Sequence, residues 1–259
     1  MKYRGPALGL LFLAASFLVA TSANASQDCA PAWAALKSVL ARHEGVRPLK
    51  SPLDDFLNSH PAPKSFIQKH DSWSSAQRTK HNERLLASLK GPWEDASRNG
   101  SLKVSLNKED ASLITRKTHR HPVVGYPNLD RYENCNQGFC FGRAVGIHVE
   151  ALRMRVHPDA IRKIWIVNPE SGDRFHVAGL IKSDEDGWWV LDANHMTAMT
   201  PEKWVRTYGG DASHSLFISD ARRFSASQPS HYNPIDLFGT EDFDFYNRFF
   251  SDYFSRYPL

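Results

Sequence analysis

Five patterns in close succession between residues 139 and 218 restrict the fold of this chain more than any other stretch. From Phe139 onward the apolar positions Phe141, Ala144, Val145, Ile147, Val149 and Leu152 recur as they do on a buried helix. Segments 161–167, 175–181 and 187–191 then read as strands, the last two joined into a hairpin by the turn Ser183-Asp184-Glu185-Asp186. Another strand is expected at 215–218. Short consecutive strands pair antiparallel, and a sheet with an apolar face needs a cover. The expectation is therefore an α+β fold with the 139–152 helix packed on an antiparallel sheet, and with Cys140 at or near that helix's N-terminus.

The rest of the chain is sparser in signal. Trp33, Leu36, Val39 and Leu40 recur at helical spacing, and Gly45 follows as a stop. A second helix is expected over 74–89, capped by Asp71 or Ser72, on the surface because only Leu85, Leu86 and Leu89 form an apolar seam. Between Gly91 and Pro127 the sequence turns polar. Arg98-Asn99-Gly100-Ser101 signals a turn, Leu102, Val104 and Leu106 alternate like a short strand, and loop chemistry follows. Thr200 before Pro201 marks a helix start. The aromatics Phe243, Phe245, Tyr246, Phe249, Phe250, Tyr253 and Phe254 are too many to leave in water and read as a final helix docked on the body.

The N-terminus carries Lys2 and Arg4, an apolar run from Ala7 to Ala20, and Ala23-Asn24-Ala25, the three parts of a secretory signal cut before Ser26. Residues 1–25 are thus expected to leave, and the protein to be secreted or periplasmic. The apolar run is short for a membrane span, so no stable membrane insertion is expected after cleavage. Loss of Lys2 and Arg4 brings the formal charge from +4 to +2, which gives no reason to expect a nucleic-acid partner. Three cysteines remain, and an odd number in an exported chain leaves one thiol outside any intramolecular disulfide. The favoured pairing is Cys29 with Cys135, although spacing alone leaves connectivity open. A spare thiol in an oxidising compartment points to chemistry at Cys140.

A thiol nucleophile works as thiolate, which a helix N-terminus favours, and it needs an imidazole to hold its proton. His176 lies in the strand-like Arg174-Phe175-His176-Val177-Ala178, and Asp192 ends the next strand at Val190-Leu191-Asp192. With 184–186 as the turn, residues near 176 and 192 come into cross-strand proximity, where a carboxylate can orient the ring. Cys140, His176 and Asp192 are therefore expected to form a nucleophile, base and orienting acid.

The elements Cys140-Phe141-Gly142-Arg143-Ala144, Phe175-His176-Val177-Ala178 and Trp189-Val190-Leu191-Asp192, in that order, resemble the core of secreted bacterial protein glutaminases and, more distantly, transglutaminases and papain-like proteases. The resemblance covers roughly residues 134–220. It implies a papain/transglutaminase-like core with a helical N-terminal region, and a protein or peptide substrate whose glutamine side chain is deamidated through a thioester. It implies no cofactor. The same three groups also serve cysteine peptidases and transglutaminases. The implied organisation is a mainly helical subdomain or pro-segment over 26–130 and a catalytic domain over 131–259.

The remaining site expectations are secondary. Asn134, Asn136 and Gln137, just upstream of the nucleophile, are side chains that could donate to a developing oxyanion alongside the Cys140 backbone N–H. Trp188 and Trp189 face opposite sides of one strand, so only one is expected to join the core, while the other covers an edge or borders a substrate cleft. His119, His121, His195 and His214 lack zinc-type spacing with cysteine, and no metal is expected.

Overall fold

A computed structural model describes residues 34–42, 46, 48–91, 101–125, 140–185, 187–209, 213–229 and 251–253. Its centre is a four-stranded antiparallel sheet of order β3-β2-β1-β4, built from β1 (Ile161–Val167), β2 (Phe175–Lys182), β3 (Trp188–Leu191) and β4 (Ser215–Asp220). Around it stand α1 (34–41), α2 (Pro52–Ser59), α3 (Phe66–Asp71), α4 (Ser75–Ser88), α5 (Lys108–His119), α6 (Cys140–Arg153) and α7 (Pro201–Tyr208). The protein is α+β. No helix among the described residues is long and apolar enough to cross a membrane.

Alternation along the strands sorts the core into two layers. Ile164, Ile166, Ala178, Leu180, Val190, Leu216 and Ile218 meet Leu53 of α2, Leu85 of α4 and Trp204 of α7 on one face. Ile161, Trp165, Val167, Val177, Ile181, Leu191 and Phe217 point to the other, where α6 and α5 pack. Every residue of α6 from Cys140 to Leu152 is buried, because the sheet lies on one side and α5, Val124 and Tyr253 close the other. Close approach of α6 to β2 depends on Gly179. A Cβ there would lie 2.4 Å from Ile147 Cγ2, so the absent side chain lets the helix settle on the strand.

Burial of both faces corrects one expectation. Trp188 and Trp189 do point to opposite sides, yet both are core residues, 4% and 5% exposed. Trp188 packs on the α4 and α7 side, and Trp189 on the α5 side with Nε1 donating to the Leu106 carbonyl at 3.1 Å. Both also begin β3, four and three residues before Asp192, about 10–13 Å along an extended strand. Neither borders the end of the sheet that carries the acid.

Other boundaries moved for local reasons. The cap of α4 is Ser74, whose hydroxyl accepts from Gln77 N–H while the Gln77 side chain accepts from Ser74 N–H, rather than Asp71 or Ser72. Segment 102–106 forms no strand. Lys103 and Leu106 make isolated parallel bridges to Val156 and Ser183, because the segment threads between the end of α6 and the end of β2. The polar stretch before Pro127 also contains α5, capped by Asn107. Thr200 caps α7, with Pro201 at its first position. Of the C-terminal aromatics only Tyr253 lies within the described residues; it is buried and stacks on His121, with 4.5 Å between ring centroids.

Both sheet edges are tied down. At β4, Asn82 of α4 accepts from Leu216 N–H at 2.8 Å and donates to the His214 carbonyl at 3.1 Å, and His81 donates to the Leu216 carbonyl at 2.9 Å. At β3, Val190 exchanges both backbone bonds with Met199, at 2.8 and 3.0 Å.

Candidate functional site

The site is assembled at one end of the sheet by three elements. α6 presents Cys140 as its first residue, β2 carries His176 as its second, and Asp192 follows directly on the last residue of β3. The hairpin register pairs Gly179 with Leu191. Continued by one pair, it sets Asp192 opposite Ala178 and makes His176 its diagonal neighbour on the same face, a separation that long side chains bridge. His176 Nε2 and Asp192 Oδ2 lie 2.7 Å apart, with the residues 6% and 2% exposed.

A carboxylate only accepts, so Nε2 of His176 carries the proton in this bond. Cys140, a buried free thiol, lies close enough to the same ring to act on its charge, so acid and thiol both bear on one imidazole. Burial by itself would drive His176 to lose its proton. The Asp192 charge, the hydrogen bond to it, and then Cys140 outweigh that burial, and the affinity of the ring for a proton is raised well above the ordinary imidazole range. For Asp192 the balance runs the other way. Burial would neutralise it, but the His176 charge and hydrogen bond, with donors from Asn194 and Trp204, hold it well below the usual carboxylate range.

Asp192 is fixed on all sides. Trp204 Nε1 donates to Oδ2 at 2.9 Å, and Asn194 N–H donates to Oδ1 at 3.0 Å. The Tyr208 ring lies against His176, with 4.3 Å between centroids and 32° between planes. Its hydroxyl accepts from Asn194 Nδ2 at 3.1 Å and meets His195 Nε2 at 3.3 Å. Burial, followed by the nearby Asp192 charge, raises the Tyr208 pKa beyond its ordinary value.

No protein-family model, curated protein or solved structure matches this chain. Its chemistry must be read from these residues.

The structure brings together Cys140, His176 and Asp192, and leaves Trp188 and Trp189 in the core. Asn134, Asn136 and Gln137 lie outside the described residues, as do Cys29 and Cys135. Arg143 is buried on α6, and its charge acts on Tyr208. Three of the histidines considered as ligands have contacts away from one another. His119 bonds to the Ala193 carbonyl at 2.8 Å, His121 Nδ1 accepts from Val123 and Val124 N–H, and His195 meets Tyr208.

Sequence reasoning missed Trp204, Tyr208 and Asn194. The available signal was a Trp-x-x-x-Tyr pair, i and i+4 on one face of the helix that follows Asp192. It also passed over Lys163, fully buried on the α6-facing side of β1, where Nζ donates to the Arg223 carbonyl at 2.7 Å. Burial lowers its pKa to about 7, against the opposing pull of Asp220 and Cys140.

Proposed function

We propose that this protein is an exported, cysteine-dependent amidohydrolase that converts protein-bound glutamine to glutamate. The observation that carries the reading is the buried His176 ring, bonded to Asp192 at 2.7 Å and acted on by the nearby Cys140 thiol. A ring that favours its protonated form beside a thiol is the arrangement of a thiolate–imidazolium pair. A thiol-bearing helix packed on an antiparallel sheet, with His and Asp on neighbouring strands, also supports the papain/transglutaminase-like reading of the core. The leader pattern supports export.

The chemistry follows in two halves. The Cys140 thiolate attacks the glutamine side-chain carbonyl carbon, the carbonyl π electrons move to oxygen, and a tetrahedral oxyanion forms. As the oxyanion collapses, His176 gives its proton to the departing nitrogen, and ammonia leaves behind a thioester. Neutral His176 then takes a proton from water, whose oxygen attacks the thioester. Collapse of the second tetrahedral species releases glutamate and restores the thiolate beside the imidazolium. Asp192 stays ionised throughout and holds the ring in one orientation.

Incubation with a glutamine-containing protein, followed by ammonia assay and intact mass spectrometry, tests the reading. The expected result is ammonia with the mass gain of an amide-to-acid exchange, both absent with Cys140→Ala. New chain ends would make the protein a peptidase, incorporation of an amine probe would make it a transglutaminase, and undiminished ammonia release by Cys140→Ala would remove the thiol from the mechanism.

A further inference from the structure

α7 touches the site twice, four residues apart, and the two contacts differ in kind. Trp204 donates to the carboxylate and stacks on the imidazole at 5.8 Å between centroids, while Tyr208 lays its ring closer over the imidazole, at 4.3 Å. The hydroxyl of Tyr208 meanwhile ties α7 to Asn194 and His195, in the turn that leads away from Asp192. The ring is thus held by its own helix and by the loop bearing the acid. It can swing away from His176 only if those contacts give.

We propose that Tyr208 is a positioning residue, whose ring holds the imidazole against Asp192 and keeps water off the pair. This rests on the reading of His176 as the proton carrier of the site. The hydrogen bond between His176 and Asp192 is charge-assisted, and its strength depends on the exclusion of water. With an open side to solvent, water competes for both partners and screens their attraction. The imidazolium is then held less firmly, and the ring gains freedom to turn away from acid and thiol. The titratable groups facing the ring are Cys140 from α6, Asp192 from the end of β3 and Tyr208 from α7, while Arg143 and His195 act on Tyr208.

Tyr208→Phe keeps the ring and removes the hydroxyl; Tyr208→Leu removes the ring. Both are compared with wild type in the full chain by NMR titration of His176, by the pH dependence of Cys140 alkylation with iodoacetamide, and by kcat and KM for ammonia release. In Tyr208→Leu the loss of the imidazolium proton moves to lower pH by about one unit or more. Alkylation at mildly acidic pH slows about tenfold, and kcat falls by about ten- to a hundredfold with KM little changed. Tyr208→Phe keeps the ring on its helix and loses only the ties to Asn194 and His195, so its midpoint moves less than that of Tyr208→Leu. A residue that only supported the fold would lower the active fraction without moving any midpoint.

If Tyr208→Leu does not give the wild-type circular-dichroism spectrum, Tyr208→Met fills similar apolar volume without a planar ring and supplies the same comparison. Identical His176 titrations in the wild type and in the folded ring-less variant overturn the proposal. If wild type releases no ammonia while the His176 midpoint still moves, the deamidase reading falls and the positioning role stands.

Discussion

Asparagine in place of Asp192 keeps the shape of the side chain and removes its charge, and the donors around the carboxylate decide how the amide sits. His176 and Trp204 both reach Oδ2, at 2.7 and 2.9 Å, whereas Asn194 N–H alone reaches Oδ1, at 3.0 Å. With its oxygen in the Oδ2 place, the amide serves two donors and opposes one; reversed, it serves one and opposes two. The first orientation is favoured, and it leaves His176 with a hydrogen bond but no counter-charge. Opposite charges with centres about 4 Å apart attract by about 4 kcal/mol at an effective dielectric constant of about 20. Losing that from a transition state with protonated His176 slows the reaction by about a thousandfold, since ~1.4 kcal/mol is a factor of ten. The opposed N–H groups at Asn194 cost a further ~1–3 kcal/mol of folding stability. The assay is kcat for ammonia release from a glutamine-containing protein, alongside the His176 titration and the thermal midpoint. A folded Asp192→Asn variant that slows only severalfold, with His176 titrating as in wild type, would refute the assigned role of the carboxylate.

Two further outcomes test the frame around the site. Gly179→Ala brings a methyl within 2.4 Å of Ile147 Cγ2 and is expected to cost about 1–3 kcal/mol in urea unfolding; Ile147→Ala removes the opposing methyl, so the double variant should lose less than the sum of the singles, and strict additivity would argue against the contact. Burial lowers the proton affinity of His70 and His81, so below their ordinary pKa of about 6.5 the unfolded chain binds more protons and stability is lost as the pH is lowered; urea midpoints measured on either side of that value check the trend, which His81→Gln should flatten.

The strands were legible because this sheet is buried on both faces. A run such as Ile164, Trp165, Ile166 and Val167 has no polar alternation to confuse it with a surface helix. The turn at residues 183–186 fixed the hairpin, and with it the nearness of His176 and Asp192. α5 was missed because its buried stripe is Ala111, Ser112, Ile114, Thr115 and Thr118, in which polar residues hide among small ones. The threonines bury there by returning their hydroxyls to the Ala111 and Ile114 carbonyls, a pairing that exists only once the helix has formed. One of the two tryptophans was misplaced for a related reason. With α2, α4 and α5 not yet assigned to cover the sheet, one face of β3 seemed open. The contacts of Trp204 and Tyr208 depend on where α7 docks, which hydrophobic spacing does not specify.

The bonds that tie down the sheet edges also limit how a partner can be recognised. Many proteins read an extended peptide by letting it join a sheet as one more strand, with the affinity carried by main-chain hydrogen bonds and little regard for sequence. Here Leu216 on one border and Val190 on the other already spend those groups within the chain. A polypeptide approaching either position finds no ladder to extend. On the proposed reading, a substrate at the Cys140 end of the sheet would be selected by the side chain it offers and by the surface around it, not by strand pairing at Leu216 or Val190. Under the proposed chemistry, the natural targets would be glutamines that stand out from folded surfaces or mobile loops, rather than stretches of chain laid out as strands.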